Sequence, residues 1–482
     1  MEYKLLFTPN PWMILPFGAL LAMIAIGPLL LPNWWLKHYA KVALALGAVT
    51  LVYYFLGFQG DAAGIARHKI GETAHHYLSF IALIGSLYIV SGGIHINVKG
   101  EATPMVNVTF LFVGAVLANF LGTTGASMLL VRPWLRMNKY RVTAHHVVFF
   151  IFIVSNVGGC LTPIGDPPLF LGYLKGIPFW WVAEHCWPMW ALGIGILLAM
   201  FYFVDVRNFR RAPKRVRSDL TQNEEWRFDG ISNIFFLAVI LGSVFINNPP
   251  FLREGLMIGA AVGSYFTTQK HVHKSNNFNF HPIQEVAILF IGIFATMMPA
   301  LDWLQENSRA LGTPSPSLYF WAAGTLSGFL DNAPTYLSFL SAVEGSIDKQ
   351  IIAQVDHLIK SGGADLATLT GATADQVCHT FDALKQYFPR QMAAGTITGE
   401  DIEIAYLLGN ISLNSFIVAI SVGAVFFGAA TYIGNGPNFM VKSIADHQNV
   451  HTPGFMGYIL KYTLPFLIPM FIVIWLVFFF RP

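Results

Sequence analysis

The chain has 482 residues, of which 55% are hydrophobic and only 11% charged, with a formal net charge of +3 and a mean hydropathy of +0.55. Soluble domains carry about 25% charged residues, so this composition excludes an ordinary soluble enzyme and points to a chain solvated mainly by lipid. The small net charge gives no support to nucleic-acid binding, and three dispersed cysteines, Cys160, Cys186 and Cys378, exclude a disulfide framework or a Cys-based zinc site.

The first apolar run lacks a basic n-region and an A-x-A cleavage site, so it reads as a retained span. A span needs about 20 mostly apolar residues. Spans are expected over 11–32, 40–58 and 76–97, followed by a re-entrant hairpin over 104–131. A broken span comes next over 145–175, then a full span over 180–204. After a basic loop at 205–230, spans resume at 231–247, 250–267 and 283–304, with a second hairpin at 317–343. A polar insert at 344–402, read as short amphipathic helices around Gly362-Gly363 and Thr368 to Thr373, leads to a second broken span at 403–440 and a last span at 455–480. Trp34-Trp35 and Trp180-Trp181 read as interfacial aromatics.

The two broken spans carry related sequences. Gly159-Cys160-Leu161-Thr162-Pro163-Ile164-Gly165-Asp166-Pro167-Pro168-Leu169-Phe170 and Gly428-Ala429-Ala430-Thr431-Tyr432-Ile433-Gly434-Asn435-Gly436-Pro437-Asn438-Phe439 share Gly, Thr, Ile, Gly, Pro and Phe at a constant offset. Unwound backbone at membrane depth is tolerated only against protein or a water-filled cavity. Interrupted spans at matching places in two halves point to a transporter's binding site. The expected fold class is therefore an all-α polytopic membrane protein, an inverted repeat of five spans plus one re-entrant hairpin in each half. An odd number of full spans makes the second half enter from the opposite face.

Charge orients the chain. Arg132, Arg136, Lys139 and Arg141, then Arg207, Arg210, Arg211, Lys214, Arg215 and Arg217, mark loops 131–142 and 205–230 as cytoplasmic. Lys37, Lys41, Lys99, Lys270, Lys274 and Lys442 then fall on the same side, and 344–402 falls outside.

The hairpin tips read Asn119-Phe120-Leu121-Gly122-Thr123-Thr124-Gly125-Ala126-Ser127 and Phe329-Leu330-Asp331-Asn332-Ala333-Pro334-Thr335. Aligning Phe120 with Phe329 sets Gly122-Thr123 against Asp331-Asn332. Asp331 or Asn332 suits an N-cap with Pro334 in the first turn. Asp166 and Asp331 read as the only deep acids, since Glu184, Glu285 and Asp302 fall near span ends. A charge at the centre of a span costs roughly 2.5–3.5 kcal/mol, which calls for a function beyond capping. Sodium wants oxygen ligands, and carboxylates, Thr hydroxyls, Asn carbonyls and unwound backbone supply them. The expected site therefore gathers Thr123, Thr124, Thr162, Asp166, Asp331, Asn332, Thr431, Asn435 and Asn438 near mid-membrane, with Asp166 and Asp331 as the sodium ligands. His145-His146 reads as interfacial packing, and His271-Val272-His273 lacks the further ligands a metal would need. No phosphate-binding loop of the GxxxxGK[ST] type appears, and no nucleophile–base pair indicates an enzyme.

On Gly158 to Pro168, Asp331-Asn332-Ala333-Pro334 and Ile433 to Asn438, the chain resembles the ion-transporter superfamily that holds NhaD-type sodium/proton antiporters, arsenite permeases and citrate and dicarboxylate carriers. The resemblance extends over about 76–480. It implies a dimerising scaffold domain and a mobile, elevator-type transport domain. On this chain the scaffold would be 1–98 and 231–304, and the transport domain 99–204 and 305–482. The dicarboxylate carriers typically carry Ser-Asn-Thr at the hairpin tips; Gly122-Thr123-Thr124 and Asp331-Asn332-Ala333 depart from it. Two buried carboxylates suit a cation, so the expected function is sodium/proton antiport in a multi-pass bacterial inner membrane. No cofactor is expected, with Na+ and H+ as the transported or coupling ions and a homodimer as the assembly. The alternative is sodium- or proton-coupled citrate or dicarboxylate transport, and a channel is the remote one.

Overall fold

An apolar segment in lipid must satisfy its own backbone polar groups, and this chain does so with helices. The structure, a computed structural model, describes residues 9–97, 102–211, 227–246, 248–307, 315–360 and 372–480. Among them, 8 helices are long and apolar enough to cross a membrane. The fold is all-α and polytopic.

A 3-10 turn at Pro11–Ile14 opens α1 (Leu15–Leu30), which meets α2 (Pro32–Leu56). Only half of each tryptophan pair behaves as an interfacial residue. Trp34 and Trp180 are exposed, whereas Trp35 and Trp181 are buried. A Cβ on Gly27 would stand 2.7 Å from the Trp35 ring, so that glycine makes room for the indole. α3 (Asp61–Gly92) begins earlier than the expected span, because its first turns carry Asp61, Arg67, Lys69 and Glu72 and lower the hydropathy. An unpredicted strand, β1 (His95–Asn97), pairs antiparallel with β2 (Arg227–Asp229), His95 opposite Asp229. Two three-residue strands carry too little period-2 pattern to be read from sequence.

α4 (Pro104–Met137) is one helical run interrupted only at Gly122, whose φ of 70° and ψ of 155° are non-helical. The run doubles back there. The Asn107 amide donates to Asn138 Oδ1 at 2.8 Å, and a Cβ on Gly114 would meet Leu130 at 3.3 Å. The first broken segment forms α5 (Ala144–Ile153), a 3-10 turn at Val157–Gly159 and α6 (Pro167–Leu174). α7 (Phe179–Arg211) then runs past the expected boundary, so Arg207, Arg210 and Arg211 belong to a helix. Lys214, Arg215 and Arg217 lie outside the described residues, as does Lys99.

In the second half α8 (Asn233–Ser243) and α9 (Leu252–Thr267) are short, at 11 and 16 residues. α10 (Lys270–Ser275) precedes α11 (His281–Asn307). α12 (Pro316–Phe329) and α13 (Asn332–Glu344) pack on one another across a break at Leu330-Asp331. The insert contains α14 (Lys349–Lys360), α15 (Ala372–Tyr387), α16 (Pro389–Ala394) and α17 (Gly399–Gly409). Gly362-Gly363 and Thr368 lie outside the described residues. The expected broken span at 403–440 is corrected at its start: α17 ends at Gly409, and the extended Asn410 caps α18 (Ile411–Phe427), accepting from Ser412 N at 3.0 Å. After a 3-10 turn at Gly428–Ala430, α19 (Gly436–His447) completes the break, and Phe455–Phe479 forms the last span, α20.

α2 and α11 approach closely through small residues; a Cβ on Gly47 would stand 3.3 Å from that of Ala295. The broken segments hold the centre. Every residue of α5 after Ala144 is buried, and 78% of the apolar stretch of α18 is buried against 22% for α2.

Candidate functional site

Two consecutive prolines put Asp166 at the hub of the fold. Pro167 and Pro168 open α6 with fixed φ and no N–H, which suits a first turn and keeps the preceding Asp166 extended, at φ −142° and ψ 144°. An N-cap carboxylate ordinarily accepts from the first-turn N–H groups. Here two of these are missing, and Asp166 makes no cap bond to its own helix. Both oxygens turn instead to other elements. Thr123 Oγ1, from the bend of α4, donates to Oδ1 at 2.7 Å. Asn435 Nδ2, from the start of α19, donates to the same oxygen at 2.9 Å. Asn332 Nδ2, from the start of α13, donates to Oδ2 at 2.5 Å. Asp166 is 1% exposed, and these three donors are all neutral.

These bonds match between the halves. Thr123 and Asn332 are the aligned tip residues, and both reach Asp166. Asp166 and Asn435 are the aligned residues of the two broken segments, and they bond to each other. Thr162 Oγ1 donates to Asn119 O at 2.6 Å, as Thr431 Oγ1 donates to Gly328 O at 2.7 Å. Asn119 and Gly328 are aligned as well.

Of the expected residues, Thr123, Asp166, Asn332 and Asn435 thus meet directly. Thr162 and Thr431 instead hold the bends: their hydroxyls accept from Gly165 N at 3.1 Å and Gly434 N at 3.2 Å. Asn438 does similar work, donating to Gly428 O and Thr431 O at 2.8 and 2.9 Å. Asp331 is half-buried and caps α13, accepting from Ala333 N at 3.0 Å; Asn332, beside it, makes the bond to Asp166. Thr124 is half-buried on the wall of a cavity between the bend of α4, the first break and α3, where Leu83, Ile84 and Leu87 face Thr123 and Asp166. The Oδ1 of Asn332 is buried without a hydrogen-bond partner. A buried acceptor left open beside a carboxylate is an oxygen pair suited to a hard cation.

Asn156 escapes a reading of the sequence. Its Nδ2 donates to Asn438 Oδ1 at 2.7 Å and Ile151 O at 2.8 Å, and its Oδ1 accepts from Asn435 Nδ2 at 3.2 Å. Because Asn438 Nδ2 is committed to backbone carbonyls, each amide in the series fixes the next. The series ends with Asn435 presenting N–H to Asp166. The one signal in the sequence is Ser155-Asn156, a polar pair inside an apolar run ahead of the break.

Gly122 gives a local test. Its φ is positive, and a Cβ there would meet Ile164 O at 3.2 Å. Gly122→Ala should shift the bend, weaken the Thr123 N–H bond to Gly165 O, now 2.7 Å, and cut function by about tenfold, corresponding to about 1.4 kcal/mol. Gly64→Ala, where nothing lies within 4 Å, is the control in the same transport assay.

No curated protein matches the chain significantly. A family model described as "Putative citrate transport" matches residues 8–479, nearly the whole chain. Its matched region includes all the long apolar helices and the Asp166 junction. The chain belongs to that family of membrane transporters.

Proposed function

We propose that the protein is a secondary active transporter that exchanges sodium for protons, with the Asp166 carboxylate as the ligand both cations share. The burial of Asp166 among neutral donors carries this reading. A carboxylate withdrawn from water costs several kcal/mol unless it is neutralised, and among the described residues no Lys or Arg donates to it. A bound sodium ion or proton would supply the missing charge. Asn332 Oδ1 and the unwound backbone would complete the ligands, and Asp331 would act from the rim.

The family match favours a second reading, cation-coupled citrate transport. Several helix N-termini converge here and favour anions, while sodium or protons at Asp166 would offset its repulsion of citrate. Purified protein in proteoliposomes separates the two. Exchange predicts an internal pH change on a sodium gradient with no labelled citrate taken up. Sodium- or proton-dependent citrate uptake without that pH change would establish the second reading.

For the architecture, we propose an inverted repeat with re-entrant hairpins at α4 and α12–α13. The scaffold would be 1–98 and 231–304, the transport unit 99–204 and 305–482, working as an elevator in a homodimer in the bacterial inner membrane. The matched hydrogen bonds support the repeat. Pairing of β1 with β2 and of Lys175 with Glu72 at 3.7 Å agrees with the side assigned to each loop. Cysteines placed at Arg211 and Asp375 test this in intact cells. An impermeant reagent should label position 375 and leave 211 unmodified; the reverse pattern would overturn the topology.

A further inference from the structure

At the other end of α5 from the break lies a second buried cluster of titratable groups, apart from the Asp166 junction. Asp205 of α7 is fully buried. Its Oδ2 accepts from Arg141 Nη2 and Asn107 Nδ2, each at 2.9 Å. Its Oδ1 accepts from Arg141 Nη1 and faces His145 Nε2 at 3.3 Å and His146 Nε2 at 3.1 Å. The expectation that this histidine pair is interfacial packing is corrected here: the pair is buried against an acid at the end of a span. Asp205 falls at the start of the expected basic loop, whereas α7 continues to Arg211.

Two histidines and a carboxylate within 4.8 Å of one another have the composition of a metal site. The hydrogen bonds argue otherwise. Both carboxylate oxygens are already held by the Arg141 guanidinium, which a metal would have to expel. Thr143 N–H donates to His146 Nδ1 at 3.3 Å, so that nitrogen bears the lone pair and Nε2 bears the proton directed at Asp205. A metal on Nε2 would require the opposite tautomer and would break this cap.

A proton needs no such rearrangement at His145. Its Nδ1 lies 2.5 Å from Thr143 Oγ1, and a hydroxyl can donate to a neutral ring or accept from a protonated one. Neutral His145 receives the Thr143 O–H and donates Nε2–H to Asp205. With a second proton on Nδ1, the hydroxyl reverses, Nε2–H still donates to Asp205, and no bond is lost. His146 lacks this freedom, since the nearer partner of its Nδ1 is the Thr143 backbone N–H at 3.3 Å, with the Thr143 hydroxyl farther off at 3.5 Å. His145 faces Asp205 from α7, and the other groups gathered on that carboxylate are His146 beside it and Arg141 from the preceding loop. α19 also packs on α5, but its Lys442 and Asp446 pair with each other at 2.5 Å and its His447 is exposed.

We propose that His145, with Thr143 and Asp205, is a proton-binding site separate from Asp166, and that the bound proton tightens the hold of α7 on the start of the first broken segment. The proposal does not rest on which ion or carboxylate is transported. An ion pair between His145 and Asp205, 3.3 Å apart, exists only while the ring holds its second proton.

Thermal unfolding of the full-length protein in nanodiscs tests this without a transport assay. His145→Gln keeps a donor toward Asp205 and an acceptor toward Thr143 but cannot be charged. The gap in Tm between wild type and His145→Gln should widen by about 2 °C from about pH 8 to about pH 5.5. Thr143→Val, which leaves a protonated Nδ1 without an acceptor, should lose much of the wild-type rise, and Thr143→Ser should retain it. These two variants carry the test alone should His145→Gln fail to fold. Parallel pH profiles for all the proteins would overturn the proposal. So would zinc stabilising wild type at about pH 8 in the absence of any pH-dependent gap, which would identify a metal site instead.

Discussion

Asp166→Asn is expected to abolish coupled transport while leaving a folded protein. Asn retains an oxygen for Thr123 and Asn435, but its own amide would face Asn332 Nδ2, which now lies 2.5 Å from Asp166 Oδ2. Donor would meet donor, and the Asn332 amide must turn. Turning it commits Asn332 Oδ1, the buried acceptor beside the carboxylate that lacks a partner, so the substitution removes the charge and occupies the neighbouring ligand together. Sodium-driven proton movement in proteoliposomes should fall by at least about 100-fold, the equivalent of roughly 3 kcal/mol. Asp331→Asn should lose about tenfold, roughly 1.4 kcal/mol, because Asn still caps Ala333 N and Asp331 is only half-buried. Equal and small losses in both variants would remove Asp166 from its central position.

The second large effect concerns backbone geometry. A Cβ on Gly434 would stand 2.6 Å from Gly428 O and 2.9 Å from Ser327 O, and one on Gly165 would overlap Gly159 O. These neighbours are backbone atoms, so they cannot swing aside as a flexible side chain would. Gly165→Ala and Gly434→Ala should each cost about 3 kcal/mol and lower both the yield of monodisperse protein and its Tm. Gly436→Ala has nothing within 4 Å of the new methyl and should match wild type. If Gly165→Ala behaved like Gly436→Ala, the tight bend at the first break would be wrong.

Much of this geometry is legible in the sequence because lipid leaves few options. An apolar run must be helical, so residues that break helices inside such runs mark where backbone is satisfied by other means. Gly122, Gly165-Asp166-Pro167 and Gly434-Asn435-Gly436 all fall at real bends. Function and scaffold are harder to separate from residue type alone. Thr162, Thr431 and Asn438 look like ligands, yet their polar atoms are spent on the carbonyls and amides of the bends themselves. Asn156 is hard to see for the converse reason: only the polar pair Ser155-Asn156 marks it in an apolar stretch, and its role depends on amides from the other half. The extent of a helix is likewise hidden where polar contacts replace apolar ones. α7 continues to Arg211 because Arg141 and Asn107 satisfy Asp205, and α3 starts at Asp61 although its first turns are charged.

Competition between sodium and protons at Asp166 is the core of the account, and equilibrium binding of radiolabelled sodium to purified protein measures it directly. If the carboxylate takes either cation, apparent sodium affinity should rise with pH as deprotonation frees the ligand, then level off once the carboxylate is fully ionised. Asp166→Asn should bind little sodium at any pH. Sodium binding that is independent of pH in wild type, or retained in Asp166→Asn, would contradict the assignment of Asp166 as the shared site.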